Sequence, residues 1–164
     1  MDRMDDVFAD LAGQFGLSRP AGRCLSAIWR AEPRPCADDL VAGLGLSRSN
    51  VSTALKELRE WGLAAIHRDA GDRKEYYTAP ADPWDLVAAM VAARRQRVTA
   101  PLLDRLLRIE ARGGDVRAAA LHETVSALDD WQERLGRLAP ADFARALLAT
   151  APAAEGKKKK KKKG

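Results

Sequence analysis

Residues 45–77, GLSRSNVSTALKELREWGLAAIHRDAGDRKEYY, decide the fold of this 164-residue chain. The first half of the stretch predicts a helix over residues 48–61, because its apolar side chains recur at helical spacing: Val51, Leu55 and Leu58. Ser47 is placed to cap the start of that helix, and Gly62 to end it. The helix therefore has one apolar face to bury and one polar face to expose.

The residues on either side of this helix complete a recognisable unit. A short helix precedes it, with Asp38 and Asp39 in its first turn and an apolar inner face, and Gly45 stops it. Two helices joined by a turn of about three residues with a glycine form a helix-turn-helix. After Gly62 the period changes to that of two short strands, 63–68 and 75–78, around a polar loop. A helix-turn-helix followed at once by a hairpin is a winged helix.

Further helices are predicted on both sides of this unit. Two precede it: one begins near Asp5 and ends at Gly16, and one begins after Ser18 and is ended by Pro33 and Pro35. A helix opened by Asp82 and Pro83 follows the hairpin, with a break or kink near Pro101 and an end at Gly113 and Gly114. The last long helix carries apolar residues alternately three and four apart: Leu121, Val125, Leu128, Trp131, Leu135 and Leu138. This spacing suits a coiled coil and packing on the preceding helix equally well, and a short helix at 143–148 follows.

The predicted fold class is mainly α with a small β-hairpin wing, a winged helix-turn-helix with long C-terminal dimerisation helices. Residues 1–80 form the DNA-binding domain with its N-terminal helix, residues 81–150 a helical dimerisation region, and residues 151–164 a disordered Lys-rich tail. Dimerisation is expected because a winged-helix core of about 80 residues cannot cover two more apolar-faced helices.

The charge balance is set by the tail. The chain has 28 Lys and Arg against 23 Asp and Glu, but Lys157–Lys163 supply seven of the bases, so the body carries two more acids than bases. DNA binding must therefore depend on where the charges of the body lie. There is no apolar run near 18 residues and the first residues are acidic, so we expect a cytoplasmic protein. Two cysteines and two histidines without metal-ligand spacing, and no catalytic constellation, lead us to expect no metal, no cofactor and no enzymatic activity.

The candidate DNA-binding residues are small hydroxyl, amide and basic side chains on the predicted recognition helix and wing. Such groups reach base edges and phosphates of double-stranded operator DNA when a helix enters the major groove. Asn50 has two interpretations: it contacts a DNA base, or, at the third helical position, it takes part in the N-terminal cap of the helix. Asp72 is expected to brace an arginine. The full set is Ser47, Arg48, Ser49, Asn50, Ser52, Thr53, Lys56, Arg73 and Lys74.

The segments LSRSNVS (46–52) and GDRKEYY (71–77) resemble the recognition helix and wing of the MarR superfamily. Together with Gly22 and Arg23 they are similar to its GbsR-like branch, named for the repressor of glycine-betaine synthesis genes. The resemblance covers about residues 5–90 and implies a homodimeric repressor, although the wing is less basic than in most MarR proteins and the Lys tail is not part of the pattern.

Two alternatives stay open. Aromatic side chains bind quaternary ammonium ions, so the resemblance leaves open a small-molecule effector held by some of Trp29, Trp61, Trp84, Trp131, Tyr76 and Tyr77. The competing function is an architectural or protein-interaction winged-helix module, whose helix and wing coat DNA without sequence preference or bind a protein. The nearly neutral body argues against pure coating, which needs many bases.

Overall fold

A computed structural model describes residues 3–113, 115–142 and 145. The mainly helical fold with a two-stranded antiparallel hairpin confirms the predicted fold class. In chain order the elements are α1 (Met4–Phe15), α2 (Arg19–Arg30), α3 (Ala37–Leu44), α4 (Arg48–Glu60), β1 (Ala65–His67), β2 (Tyr76–Thr78), α5 (Pro83–Arg94), a π-helical turn (Arg95–Thr99), α6 (Ala100–Ala111) and α7 (Val116–Gly136).

The helix ends lie where the local signals predict them. The Ser18 hydroxyl accepts the backbone N–H of Ala21 at 3.3 Å, and the Asp82 carboxylate accepts that of Trp84 at 2.7 Å. Gly16 follows α1 with φ of 97°, a left-handed conformation that glycine adopts without steric cost. Capping and termination are properties of a few adjacent residues, which is why the sequence alone predicts these boundaries.

The core forms where α1, α2 and α4 meet, and a close approach of α1 and α2 depends on Gly22. A Cβ on Gly22 would lie 2.6 Å from the Ala9 Cα and 2.7 Å from the Phe8 carbonyl oxygen. The absence of a Cβ lets the two backbones pack directly against each other. Around this contact lie fully buried apolar side chains, among them Leu25, Leu58, Leu63, Met90 and Val51.

The wing strands are shorter than predicted, and the reason lies at the end of α4. The N–H groups of Leu63 and Ala64 both bond to the carbonyl of Leu58, at 2.8 and 3.3 Å, so these residues close the helix instead of starting the strand. The sequence also gave no sign of a third segment beside the hairpin. The Tyr77 N–H donates to the Pro35 carbonyl at 3.0 Å, which attaches the wing to the entry of α3.

The predicted break near Pro101 is a π-helical turn immediately before it. The Ala100 N–H bonds to the carbonyl of Arg95, five residues back. Pro101 has no N–H to offer the Arg97 carbonyl, so an α-helical bond cannot form there and the helix widens by one residue. None of the described helices is both long and apolar enough to span a bilayer.

The long helix α7 packs on α5 and α6 but leaves much of its apolar seam uncovered. Leu121, Leu128 and Trp131 are 53, 51 and 56% exposed. The apolar spacing of α7 predicts either a coiled coil or packing on the preceding helix. Packing on the preceding helix therefore does not account for these three residues. Some predicted features lie outside the described residues: the helix at 143–148 apart from Arg145, the tail at 151–164, Gly114 and the side chain of Leu135.

Candidate DNA-binding surface

Helix α4 divides its side chains between the core and the exterior. Its inner row is buried to between 0 and 3% exposure: Val51, Ala54, Leu55 and Leu58. Glu57 adds a polar attachment, accepting the backbone N–H of Ser18 at 2.8 Å and the Ser18 hydroxyl at 2.5 Å. These two bonds join the middle of α4 to the start of α2. The helix is thus fixed along its length, and only its outer row is free to meet a ligand.

The outer row of α4 contains the residues predicted to contact DNA. Arg48, Ser49, Asn50, Ser52, Thr53 and Lys56 are all exposed. The Ser47 hydroxyl caps the helix by accepting the Asn50 N–H at 3.2 Å and lies 3.1 Å from the Ser49 hydroxyl. Asn50 therefore serves the cap through its backbone, and its side chain stays exposed.

Two basic residues of this row form ion pairs that were not predicted from the sequence. A carboxylate oxygen of Asp38 in α3 lies 2.8 Å from the Arg48 guanidinium. Glu60 lies 3.9 Å from the Lys56 ammonium, one turn further along α4. The Lys56–Glu60 pair was readable from its four-residue spacing. The Asp38–Arg48 pair crosses the helix-turn-helix, and no local pattern marks it.

A groove of about 500 Å³ runs between α4 and the second wing strand. Arg48, Ser52 and Lys56 line one wall, and Glu75 and Tyr77 line the other. Arg59, which is not among the predicted DNA-binding residues, also lines it. Its position three residues after Lys56, on the same helical face, was the available signal. The structure thus brings together α4 and the strand that continues from Arg73 and Lys74.

The wing loop is held by Asp72, which does not brace an arginine as predicted. Its carboxylate instead accepts the Lys74 backbone N–H at 2.9 Å and the Tyr76 hydroxyl at 2.7 Å. A short polar side chain in a tight loop reaches its own backbone two residues on more easily than a distant guanidinium. Arg68 pairs with Glu75 across the hairpin. Arg73 is exposed and has no ion-pair partner in the part of the chain described.

Hydrogen bonds shift the pKa values of three side chains in the wing. The Lys74 N–H and the Tyr76 hydroxyl bond to Asp72 and hold the pKa of that carboxyl below its usual range. The same bond raises the pKa of the Tyr76 hydroxyl to about 12. The hydrogen bond from Arg68 likewise lowers the pKa of Glu75. Asp72, Glu75 and the Tyr76 phenol therefore each keep one protonation state across the physiological range.

The remaining chemically active side chains are engaged elsewhere. His67 pairs with Asp69 and His122 with Glu110, each at 2.9 Å. No group of three or more potential metal ligands occurs among the described residues. Cys24 and Cys36 are both buried, and burial raises the pKa of the Cys24 thiol to about 11.

Several of the aromatic rings have separate structural contacts. Trp29 lies 5.5 Å from the Phe8 ring and donates to the Ala81 carbonyl at 3.1 Å. Trp61 lies beneath the Arg97 guanidinium. Tyr77 is buried, with its hydroxyl toward Glu75. Trp29 and Trp61 thus hold the N-terminal and C-terminal helices against the winged helix.

Comparison with known proteins points to one class. Residues 15–75 match the sequence model of the MarR family. A crystal structure described as that of a transcriptional regulator is 22% identical, covers 88% of this chain and 95% of its own, and superposes with a TM-score of 0.58. The transcriptional regulator Tm0710 from Thermotoga maritima is 18% identical over 80% of this chain and 87% of its own, with a TM-score of 0.42. A search of curated proteins gave no significant match.

The helix-turn-helix and the adjacent hairpin define a winged helix, and the exposed polar face of α4 lies beside the wing. Within this fold, residues 15–75 are similar in sequence to the MarR family.

Proposed function

We propose that the protein is a homodimeric repressor of the GbsR-like branch of the MarR family that recognises an inverted repeat in operator DNA. The observation that carries the proposal is the division of α4 into a buried row and an exposed row of hydroxyl, amide and basic side chains beside the wing. A helix of this kind fits the major groove, where base edges present donors and acceptors.

The roles of individual residues follow from their chemistry. Arg48 lies at the N-terminal end of α4, and this is the part of a recognition helix that contacts base edges. Its guanidinium can donate two hydrogen bonds to one guanine. Ser49, Asn50, Ser52 and Thr53 add shorter polar contacts. Lys56 and the wing residues Lys74 and Arg73 neutralise phosphates or reach into the minor groove.

A second copy of the chain is proposed to cover the apolar surface of the C-terminal helices. The large apolar side chains exposed on the described part of these helices are Val87, Val98, Leu102, Leu107, Ile109, Val116, Leu121, Leu128 and Trp131. Exposed apolar side chains this numerous mark an interaction surface when they are contiguous. Two copies related by a twofold axis would present their recognition helices to half-sites about 34 to 36 Å apart.

Selection of bound sequences from a random DNA pool tests the function. An enriched inverted repeat with half-sites about one helical turn apart is expected. A flat sequence distribution would favour the architectural module that the sequence left open. Reporter expression from a promoter carrying the selected repeat then separates repression from activation.

The dimer has its own test, Leu128→Glu. A carboxylate at this position would be buried without a partner in the proposed interface, so the variant should lose the dimeric mass that light scattering gives for the wild type at micromolar concentration. Glu123→Gln changes the charge by one elsewhere on α7, where Glu123 is exposed, and should leave the mass unchanged. A wild-type chain that is monomeric under these conditions would contradict the dimer.

A further inference from the structure

Three arginines around the π-helical turn reach three different parts of the fold. Arg94 donates a hydrogen bond to the carbonyl of Gln14, near the C-terminal end of α1. Arg97 donates to the carbonyl of Glu60, the last residue of α4. Arg95 binds carboxylates of α7. Within four residues, one helix is therefore tied to α1, to the recognition helix and to the C-terminal helix.

The contact of Arg97 with α4 combines three favourable interactions. The guanidinium donates a charge-assisted hydrogen bond to a carbonyl that has no partner within its own helix. It places a positive charge at the negative end of the α4 dipole. It also lies 5.8 Å from the centre of the Trp61 ring, within the range of cation–π attraction. All three act on the end of the recognition helix opposite to Arg48.

The contact of Arg95 with α7 is two-pronged and shielded from water. Its Nε and Nη2 atoms donate to the two carboxylate oxygens of Asp129, at 2.8 and 2.7 Å, and Nη2 also lies 3.0 Å from Glu133. The side chains of Arg95 and Asp129 are only 20 and 15% exposed. A bidentate pair of this kind fixes orientation as well as distance.

We propose that Arg97 is a positioning residue for DNA recognition, which holds the end of the recognition helix at a fixed orientation to the C-terminal helices through the π-helical turn. Arg95 and Asp129 complete the linkage on the side of α7. The inference rests on the proposed function: if two copies join through their C-terminal helices, this linkage sets the distance and rotation between the two recognition helices. Arg97 then governs which half-site spacing is bound without touching a base.

The test compares half-site spacings. The selected inverted repeat is prepared with its natural spacing and with one base pair added or removed, which moves one half-site by about 3.4 Å and rotates it. Binding of wild type, Arg97→Gln and Arg97→Lys is measured on each DNA and on a single half-site. Arg105→Gln is the matched control, because Arg105 is an exposed arginine of α6 with no ion pair in the described chain.

In wild type, a wrong spacing should lower the affinity relative to the natural spacing. Arg97→Gln should reduce this ratio of affinities by roughly three- to tenfold, which lies within the range of coupling changes measured in other proteins. Its affinity for the single half-site should stay within about twofold of wild type, because no contact to DNA is lost. Arg97→Lys, which keeps the charge and can still donate a hydrogen bond, should recover part of the spacing preference. Arg105→Gln should behave like wild type.

A second comparison tests the link to α7. Asp129→Asn should also weaken the spacing preference. In the double variant with Arg97→Gln, the spacing preference should fall no further than in the more affected single variant, because both substitutions interrupt one linkage. Asp130→Asn is the control, because the neighbouring Asp130 is exposed.

Three results would overturn the inference. The first is an unchanged spacing penalty in Arg97→Gln. The second is an equal loss of affinity by that variant on the half-site and on every spacing, which would mean that Arg97 supports only the stability of α4. The third is additive effects in the double variant. A wild-type protein that selects no inverted repeat would instead contradict the proposed function itself.

Discussion

The carboxylate of Asp38 lies 2.8 Å from the guanidinium of Arg48, so the first helix of the helix-turn-helix holds the leading basic side chain of the second. Both side chains are mainly exposed, at 60 and 78%. The pair is therefore screened by water and contributes little to folding. Its effect is expected on DNA binding, because it orients Arg48 and also places a negative charge near the phosphates.

Asp38→Asn should increase affinity for random DNA and lower the preference for the operator. Removing the carboxylate frees Arg48 to bind any phosphate and removes the repulsion between Asp38 and the phosphates. The binding free energy should change by about 0.2 to 1 kcal/mol, the size of the interaction in an exposed ion pair. Competition binding between operator and random DNA measures both effects. Asp104→Asn removes the same charge from an exposed position on α6 and should change neither. Unaltered discrimination in Asp38→Asn would show that Asp38 does not guide Arg48.

Arg48→Ala and Lys56→Ala should weaken DNA binding in different ways. Loss of a guanidinium bidentate to guanine costs about 1 to 3 kcal/mol and relaxes the preference at one base pair. Loss of a phosphate contact by Lys56 weakens all sequences alike and makes the salt dependence shallower. Binding curves on the operator, on single-base variants and on random DNA separate the two. Equal losses on every DNA for both variants would contradict base reading by Arg48.

Gly22→Ala should destabilise the fold without altering any DNA-binding residue. The added methyl group would lie 2.6 Å from a backbone atom of α1, so the two helices must separate, at a cost of about 1 to 3 kcal/mol. Urea unfolding measures the loss. Gly13→Ala in α1 has nothing within 4 Å of its new methyl group and should be neutral or stabilising, because alanine favours a helix. Similar stability of the two variants would refute the close approach.

Asp129→Asn should lower stability at neutral pH but not in acid. The hydrogen bond from Arg95 holds the pKa of Asp129 below its usual range, so its stabilisation is present above the ordinary aspartate pKa and is lost as pH falls through the lowered value. A charged hydrogen bond of this kind contributes about 1.5 to 3 kcal/mol. The difference in unfolding free energy between wild type and variant should therefore shrink as pH falls below the ordinary aspartate pKa and disappear once Asp129 is protonated in the folded state. A difference that persists in acid, or an equal effect of Asp130→Asn, would contradict this assignment.

The features that the sequence predicts correctly are those determined within one turn of helix. Ser18, Ser47 and Asp82 begin helices because a short acceptor side chain meets the N–H two or three residues later. The exposed row of α4 follows in the same way from the spacing of Val51, Leu55 and Leu58. Most of the candidate surface could therefore be derived before the fold was known.

The features that escaped prediction join residues far apart in the chain. Ser18 and Glu57 are 39 positions apart, and Arg97 and Glu60 are 37 apart. Such contacts depend on how helices pack, and a single sequence carries no periodic signal for them. The error at Asp72 has the opposite cause. A contact to its own loop won over a longer-range one, because closing the shorter loop costs less entropy.

The division of α4 into a buried row and an exposed row determines which of its residues can change during evolution. The core row and Glu57 cannot change without loosening the helix from α2, whereas Ser49, Ser52 and Thr53 contact no core residue in a way that fixes their identity. After a gene duplication, a copy could drift to a new target promoter through these few outward positions. Its architecture, and the contact of Arg97 with the end of α4, would be inherited intact.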